Sequence, residues 1–109
     1  MRPSAIAAAR KLLLRGPGLA VVKLGAKGLA YAAKDQSSGF IPPFSVQAVD
    51  TVAAGDCFCG ALSVALDEGM NTPEALRFAS AAGALATTKH GAAAAAPTRA
   101  ELESFLANS

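Results

Sequence analysis

Apolar and polar positions along this chain follow one pattern before residue 50 and another after it. Residues 4–14 are good helix formers, with Ser4 as a candidate cap, and Gly16-Pro17-Gly18 ends the run. Residues 19–24 read Leu-Ala-Val-Val-Lys-Leu, a short and nearly continuous apolar stretch bounded by glycines. That pattern suits a strand covered on both faces, and a buried parallel strand is the expectation. Gly25-Ala26-Lys27-Gly28 reads as a turn, residues 29–33 as a second strand and residues 40–49 as a third extended piece. Pro42 and Pro43 would hold that piece at a sheet edge, because proline cannot donate to a ladder.

After Asp50 the period becomes helical. Phe58, Leu62, Ala65 and Leu66 share one face, and Gly69 is a reasonable stop for a helix begun near Gly55. Thr72-Pro73-Glu74 has the form of a cap, a first-turn proline and an acid matched to the helix dipole. It opens a helix to about residue 88 through the small and apolar positions Leu76, Ala79, Ala82, Gly83 and Ala86. Thr98 and Glu101 have capping-box spacing, and Leu102, Phe105 and Leu106 give the last helix its apolar face. Residues 92–96, all alanine between Gly91 and Pro97, read as a loop. Helix, three strands and three helices make an odd inventory for a stand-alone domain. A parallel strand needs strand neighbours on both sides, so the chain looks like part of a larger sheet.

Composition narrows the classes. The 109 residues suit one domain with a single core, and 52% hydrophobic against 17% charged side chains, with mean hydropathy +0.36, excludes intrinsic disorder. Much of the apolar content is alanine and only 6% is aromatic, so the core is thin and marginal stability on its own is expected. Ten basic against eight acidic side chains give a net charge of +2, scattered rather than gathered into a stripe, which argues against a nucleic-acid partner. Cys57 and Cys59 have no second pair to complete a zinc site or a disulfide framework, and are expected as small packing residues. His90 is expected as a plain loop residue. No apolar run reaches the length of a membrane span, and the first residues lack the pattern of a secretory leader, so a soluble, cytoplasmic protein is the expectation.

Asp50-Thr51-Val52-Ala53-Ala54-Gly55-Asp56 leaves an extended segment and enters a helix. Small residues at 53–55 let a ligand approach the main chain, and the first amides of the helix lack internal partners, the makings of an anion site. Asp56 in the first turn places a carboxylate beside that cradle. For phosphoryl transfer to an alcohol the pairing is sensible, since the chemistry needs donors on the moving group and one acceptor for the hydroxyl proton. By spacing alone the plain reading stays open: a helix-terminal acid after a tight turn. The glycine-bounded turn at 25–28 is equally ambiguous between a nucleotide loop and a simple turn.

The stretch Val49-Asp50-Thr51-Val52-Ala53-Ala54-Gly55-Asp56-Cys57-Phe58-Cys59-Gly60-Ala61 resembles the C-terminal signature of the ribokinase (PfkB) family of sugar kinases. Within the family the Ala-Ala-Gly-Asp form is more similar to ribokinases than to fructokinases or adenosine kinases, which usually show Gly-Ala-Gly-Asp. Val22-Lys23-Leu24-Gly25-Ala26-Lys27-Gly28 resembles the family's nucleotide loop. Glu74-Ala75-Leu76-Arg77-Phe78-Ala79, and then Thr88-Lys89-His90-Gly91-Ala92, resemble its nucleotide-side helix and following loop. The likeness covers nearly the whole chain with the segments in family order. It implies residues 1–109 as the C-terminal portion of a three-layer α/β/α fold with an incomplete sheet, lacking the sugar pocket and lid.

The resemblance further implies ATP-dependent phosphorylation of a sugar primary hydroxyl, most simply D-ribose to D-ribose 5-phosphate, with little turnover by this portion alone. Asp56 is implied as the general base, also touching substrate and nucleotide, and Ala53, Ala54 and Gly55 as the anion hole. Leu24, Gly25, Ala26, Lys27, Gly28, Leu29, Gly55 and Ser80 are implied as nucleotide contacts. Magnesium would arrive with ATP. A monovalent cation, usually potassium, would take oxygens from Asp50, Val52, Ala86, Lys89 and Gly91. Ala95 stands where the family has a serine, so one ligand of that site is missing. A homodimer is implied for the parent kinase. The alternatives are another sugar or nucleoside kinase of the family, a non-catalytic nucleotide-binding or subunit-association module, and a remnant that does not fold.

Overall fold

The computed structural model describes residues 2–14, 16, 18–24, 27–34, 37–49, 51–88 and 97–108. They fall into two compact units, Met1–Pro43 and Phe44–Ser109. The single core expected from chain length is therefore divided between them.

In the first unit α1 (Arg2–Leu13) precedes β1 (Leu19–Lys23), β2 (Leu29–Ala33) and β3 (Ser38–Ile41). Ser4 is not the cap of α1, because the helix already begins at Arg2. The first helical turn needs no N–H from Pro3, so the proline does not bar that start. The sheet runs β1-β2-β3, and both pairings are antiparallel, with Val21 opposite Tyr31 and Ala30 opposite Phe40. The strand at residues 19–24, expected as parallel, is thus antiparallel to its one neighbour among the described residues. The connection from Lys23 to Leu29 is far shorter than the dozen or so residues a parallel crossover requires. The strand buried along its whole length is the central one, Leu-Ala-Tyr-Ala-Ala of β2, whereas β1 buries only Ala20 fully.

Residues 40–49 are not one extended strand either. β3 ends at Ile41, immediately before Pro42 and Pro43, whose missing N–H groups stop the ladder. Ala9 of α1 packs on Ala20 and Ala32, so helix and sheet approach through alanines, and the Arg10 guanidinium donates to Ser38 Oγ at 2.8 Å.

The second unit holds α2 (Ala54–Asp67), α3 (Thr72–Ala86) and α4 (Arg99–Ala107). α2 ends in a Schellman motif. Gly69 adopts φ +87°, its N–H donates to Leu66, and the Met70 N–H donates to Ala65, which turns the chain back within four residues. The cap of α3 is Asn71, one residue before the expected Thr72. Its side chain accepts from the Glu74 N–H at 3.0 Å and donates to the Glu74 carboxylate at 3.0 Å. The α4 box forms as read from the sequence, with the Glu101 N–H on Thr98 Oγ1 and the Thr98 N–H on Glu101 Oε1.

α2 and α3 pack along a seam of small residues, Ala65, Ala75, Ala81 and Ala82, sealed by Phe78 and by Leu102 of α4. Leu66 is 44% exposed and does not join this face, whereas Ala61 and Leu62 pack against it. Leu76 is fully buried, worth about 2 kcal/mol. No helix among the described residues is long and apolar enough to cross a membrane.

Candidate active site

The segment before α2 is fixed at two points on its own unit. Phe44 stacks at 47° on Phe105, with ring centroids 5.1 Å apart, and the Arg77 guanidinium lies 5.1 Å over the Phe44 ring. Five residues on, the Val49 N–H donates to the Thr87 carbonyl at the end of α3 at 2.6 Å. The chain then turns. The Ala54 N–H donates to the Thr51 carbonyl at 3.2 Å, and the first α-helical bond runs from the Cys57 N–H to the Ala53 carbonyl at 3.0 Å.

Ala53 occupies the cap position with φ −100° and ψ 0° and has no side chain to close the helix start. Alanine is a poor N-cap for that reason. Asn71 and Thr98 each consume an amide of the helix they open, whereas the amides of Ala53, Gly55 and Asp56 have no acceptor among the described residues. Of the three expected donors, Ala54 is therefore withdrawn by the turn. The Asp56 amide, which sequence reasoning did not count, is open in its place. It could have been found by noting that the third amide of any uncapped helix is an orphan.

The Asp56 carboxylate is exposed in the first turn of α2, at the positive end of the helix dipole, and makes no hydrogen bond or ion pair with a described residue. Gly55 is likewise open, with nothing within 4 Å of where a Cβ would stand. Beneath this turn Ala53 is buried on Ala86 with Cys57 beside them, and Gly83 faces the Ala54 carbonyl. Cys57 packs as expected. Cys59 does not, being an exposed thiol on the outer side of α2.

At the other end of the hairpin Thr87 and Thr88 turn their hydroxyls onto the Ala84 and Leu85 carbonyls at 2.6 and 2.7 Å, doubling the bonds their own amides make. The Ala86 carbonyl receives none among the described residues. Ala53, Ala54, Gly55, Asp56 and Ala86 are thus brought together, with Val52 exposed at their margin. Ser80 is half-buried on α3, six residues from Ala86. Asp50, Lys89, His90, Gly91, the 92–96 loop and Ala95 lie outside the described residues, as do Gly25 and Ala26.

Leu24, Lys27, Gly28 and Leu29 belong to the first unit, where they close the β1–β2 turn. The Leu24 N–H donates to Gly28 at 2.8 Å and the Lys27 N–H to Leu24 at 3.1 Å. Gly28 has φ +102°, and a Cβ there would collide with the Ile41 carbonyl. Glycine is thus required at this position by the sheet itself, whatever the turn also binds.

Residues 2–99 match the pfkB family of carbohydrate kinases. The chain is 44% identical over 103 residues to ribokinase of Haemophilus influenzae, covering 94% of this chain and 33% of that protein. It is 43% identical over 91 residues to fructokinase-1 of Zea mays, covering 77% of this chain and 28% of that one. Its fold is similar to that of Arabidopsis thaliana ribokinase complexed with ribose and ATP, with TM-score 0.81 and 36% identity over 92% of this chain and 32% of that structure. The chain spans about a third of the length of the relatives it matches. Its fold class is that of the ribokinase neighbours, a partial α/β arrangement of helices and a small three-stranded sheet.

Proposed function

This chain belongs to the pfkB family of carbohydrate kinases, and from that premise we propose that it carries the nucleotide-side and phosphoryl-binding part of a sugar kinase. The reaction moves the terminal phosphoryl group of ATP to the primary hydroxyl of a sugar, D-ribose foremost, leaving ADP and D-ribose 5-phosphate. One observation carries the reading: in this family context an unbonded, exposed carboxylate stands in the same helical turn as amides that no described group uses.

Asp56 accepts the proton of the sugar hydroxyl as its oxygen bonds to phosphorus. A carboxylate is a weak base, but it suffices where proton removal is late. The N–H groups of Ala53, Gly55 and Asp56 point toward the charge that builds on the moving phosphoryl, and fixed donors of this kind supply a large electrostatic share of catalysis. Leu24, Gly25, Ala26, Lys27, Gly28, Leu29 and Ser80 are the proposed nucleotide contacts.

Magnesium neutralises phosphate charge when it binds with ATP. It would be held largely by phosphate oxygens and water. For a monovalent cation such as potassium, the Ala86 carbonyl at the negative end of α3, which no described residue bonds, is a fitting donor. Val52, Asp50, Lys89 and Gly91 complete the proposed set. A cytoplasmic location fits the same reading.

Ribose is favoured by the Ala-Ala-Gly-Asp form of the signature, and fructose is the second reading, supported by the Zea mays relative at 43% identity. Two hybrids test both. In one, this chain replaces the matching third of the Haemophilus influenzae ribokinase, and in the other that of the Zea mays fructokinase. We expect ATP-dependent phosphorylation in the ribokinase hybrid, at a larger fraction of its parent's rate than the fructokinase hybrid retains. The opposite ranking overturns ribose, and folded hybrids inactive in both contexts overturn the kinase reading.

A further inference from the structure

We propose that Gly83 is a positioning residue that sets the direction of the Gly55 amide, an inference that rests on the phosphoryl-binding role given to that amide. Gly83 is buried in the last turn of α3, at a helical position that glycine fills poorly, and its open side faces the first turn of α2. A Cβ built on Gly83 stands 3.2 Å from the Ala54 carbonyl oxygen and 3.7 Å from Phe58 Cβ. The first distance is tighter than about nine in ten real Cβ contacts and would oblige that carbonyl to move by a few tenths of an ångström.

The Ala54 carbonyl and the Gly55 N–H belong to one planar peptide unit and cannot move independently. A push on the carbonyl from α3 therefore re-aims the N–H on the opposite side of the plane. The two neighbouring attachments resist relief elsewhere. Ala53 is pinned on Ala86, one turn further along α3, and the Ala54 N–H is held by Thr51. Gly60 on α2 provides the contrast, since a Cβ there meets nothing within 4 Å.

The test uses the full chain, isotopically labelled, as wild type, Gly83→Ala and Gly60→Ala. The Gly55 amide is followed by NMR while magnesium and ATP are titrated. Both substitutions improve helix propensity, so both melting temperatures should equal or exceed wild type if neither strains the fold globally. Gly83→Ala is expected to shift the Gly55 amide resonance in the unliganded chain and weaken ATP binding about threefold to tenfold, because small misplacements of positioned groups cost severalfold. Gly60→Ala is expected to do neither. Should Gly83→Ala fail to melt cooperatively, Gly83→Ser makes the same demand on the Ala54 carbonyl and is read in the same way.

An unmoved Gly55 resonance in a folded position-83 variant, or unchanged ATP affinity despite a moved one, overturns the inference. A wild-type chain that binds no ATP counts against the proposed function instead, and the Gly55 resonance in the unliganded variants still decides whether position 83 aims the amide.

Discussion

Two side chains show how differently an acid behaves when it is paired and when it is left open. Asp56 has no partner among the described residues, which suits its proposed role as a base. Glu68, at the end of the same helix, receives both ends of the Arg99 guanidinium at 2.7 and 2.9 Å, while Arg99 also lies 5.0 Å over the Phe78 ring. Hydrogen bonding from Arg99, with its charge adding to the effect, holds the Glu68 carboxyl below the ordinary glutamate value, and the Arg99 guanidinium is pushed up in return. A lowered folded-state pKa means that the contribution is present above the unfolded value and is lost as pH falls through the folded one. The pair is solvent-exposed, so the effect is modest and weakened by salt. Melting temperature should therefore decline as pH drops below about 4.5, and Glu68→Gln should flatten that part of the profile. Parallel profiles for wild type and variant would show that the pair contributes nothing.

Among the elements, the helices carry their own signals and the strands do not. Asn71 gives α3 its cap, and Asn71→Ala should cost about 1 kcal/mol, lowering the melting temperature by roughly 5 °C, whereas Asn71→Gly should cost only a few tenths. Equal melts for the two variants would place the stabilisation elsewhere. The capping box at Thr98, the glycine stop at 69 and the buried face from Leu76 to Ala86 were legible because each depends on residues within one or two turns. The direction of β1 was not. An apolar run bounded by glycines says that a strand is covered, but its partner and direction are decided by the length of the next connection. At the start of α2 the acid and the small residues were legible, and the assignment of individual amides was not. Whether Ala54 or Asp56 keeps an open N–H depends on a turn that closes through the Thr51 carbonyl, for which the side chains give no signal.

For the molecule as a whole, the division at Pro43 changes the reading of charge. Residues 1–43 hold seven basic side chains (Arg2, Arg10, Lys11, Arg15, Lys23, Lys27 and Lys34) against the single acid Asp35, and residues 44–109 hold three (Arg77, Lys89 and Arg99) against seven acids. A net charge of +2, apparently scattered, conceals a basic unit with the proposed nucleotide turn and an acidic unit with the proposed base. The basic unit suits the proposed polyanionic nucleotide, and in the acidic unit the amides that no described residue uses would offset the acids' charge for the proposed phosphoryl group. Asp56 and those amides carry the proposed chemistry, and the most direct measurement is the rate of phosphoryl transfer in the ribokinase hybrid carrying Asp56→Asn, a substitution that keeps the shape and removes the base. We expect kcat to fall by about 100-fold or more with the KM for ATP little changed, the span associated with loss of a general base. Turnover close to that of the unsubstituted hybrid would contradict the account.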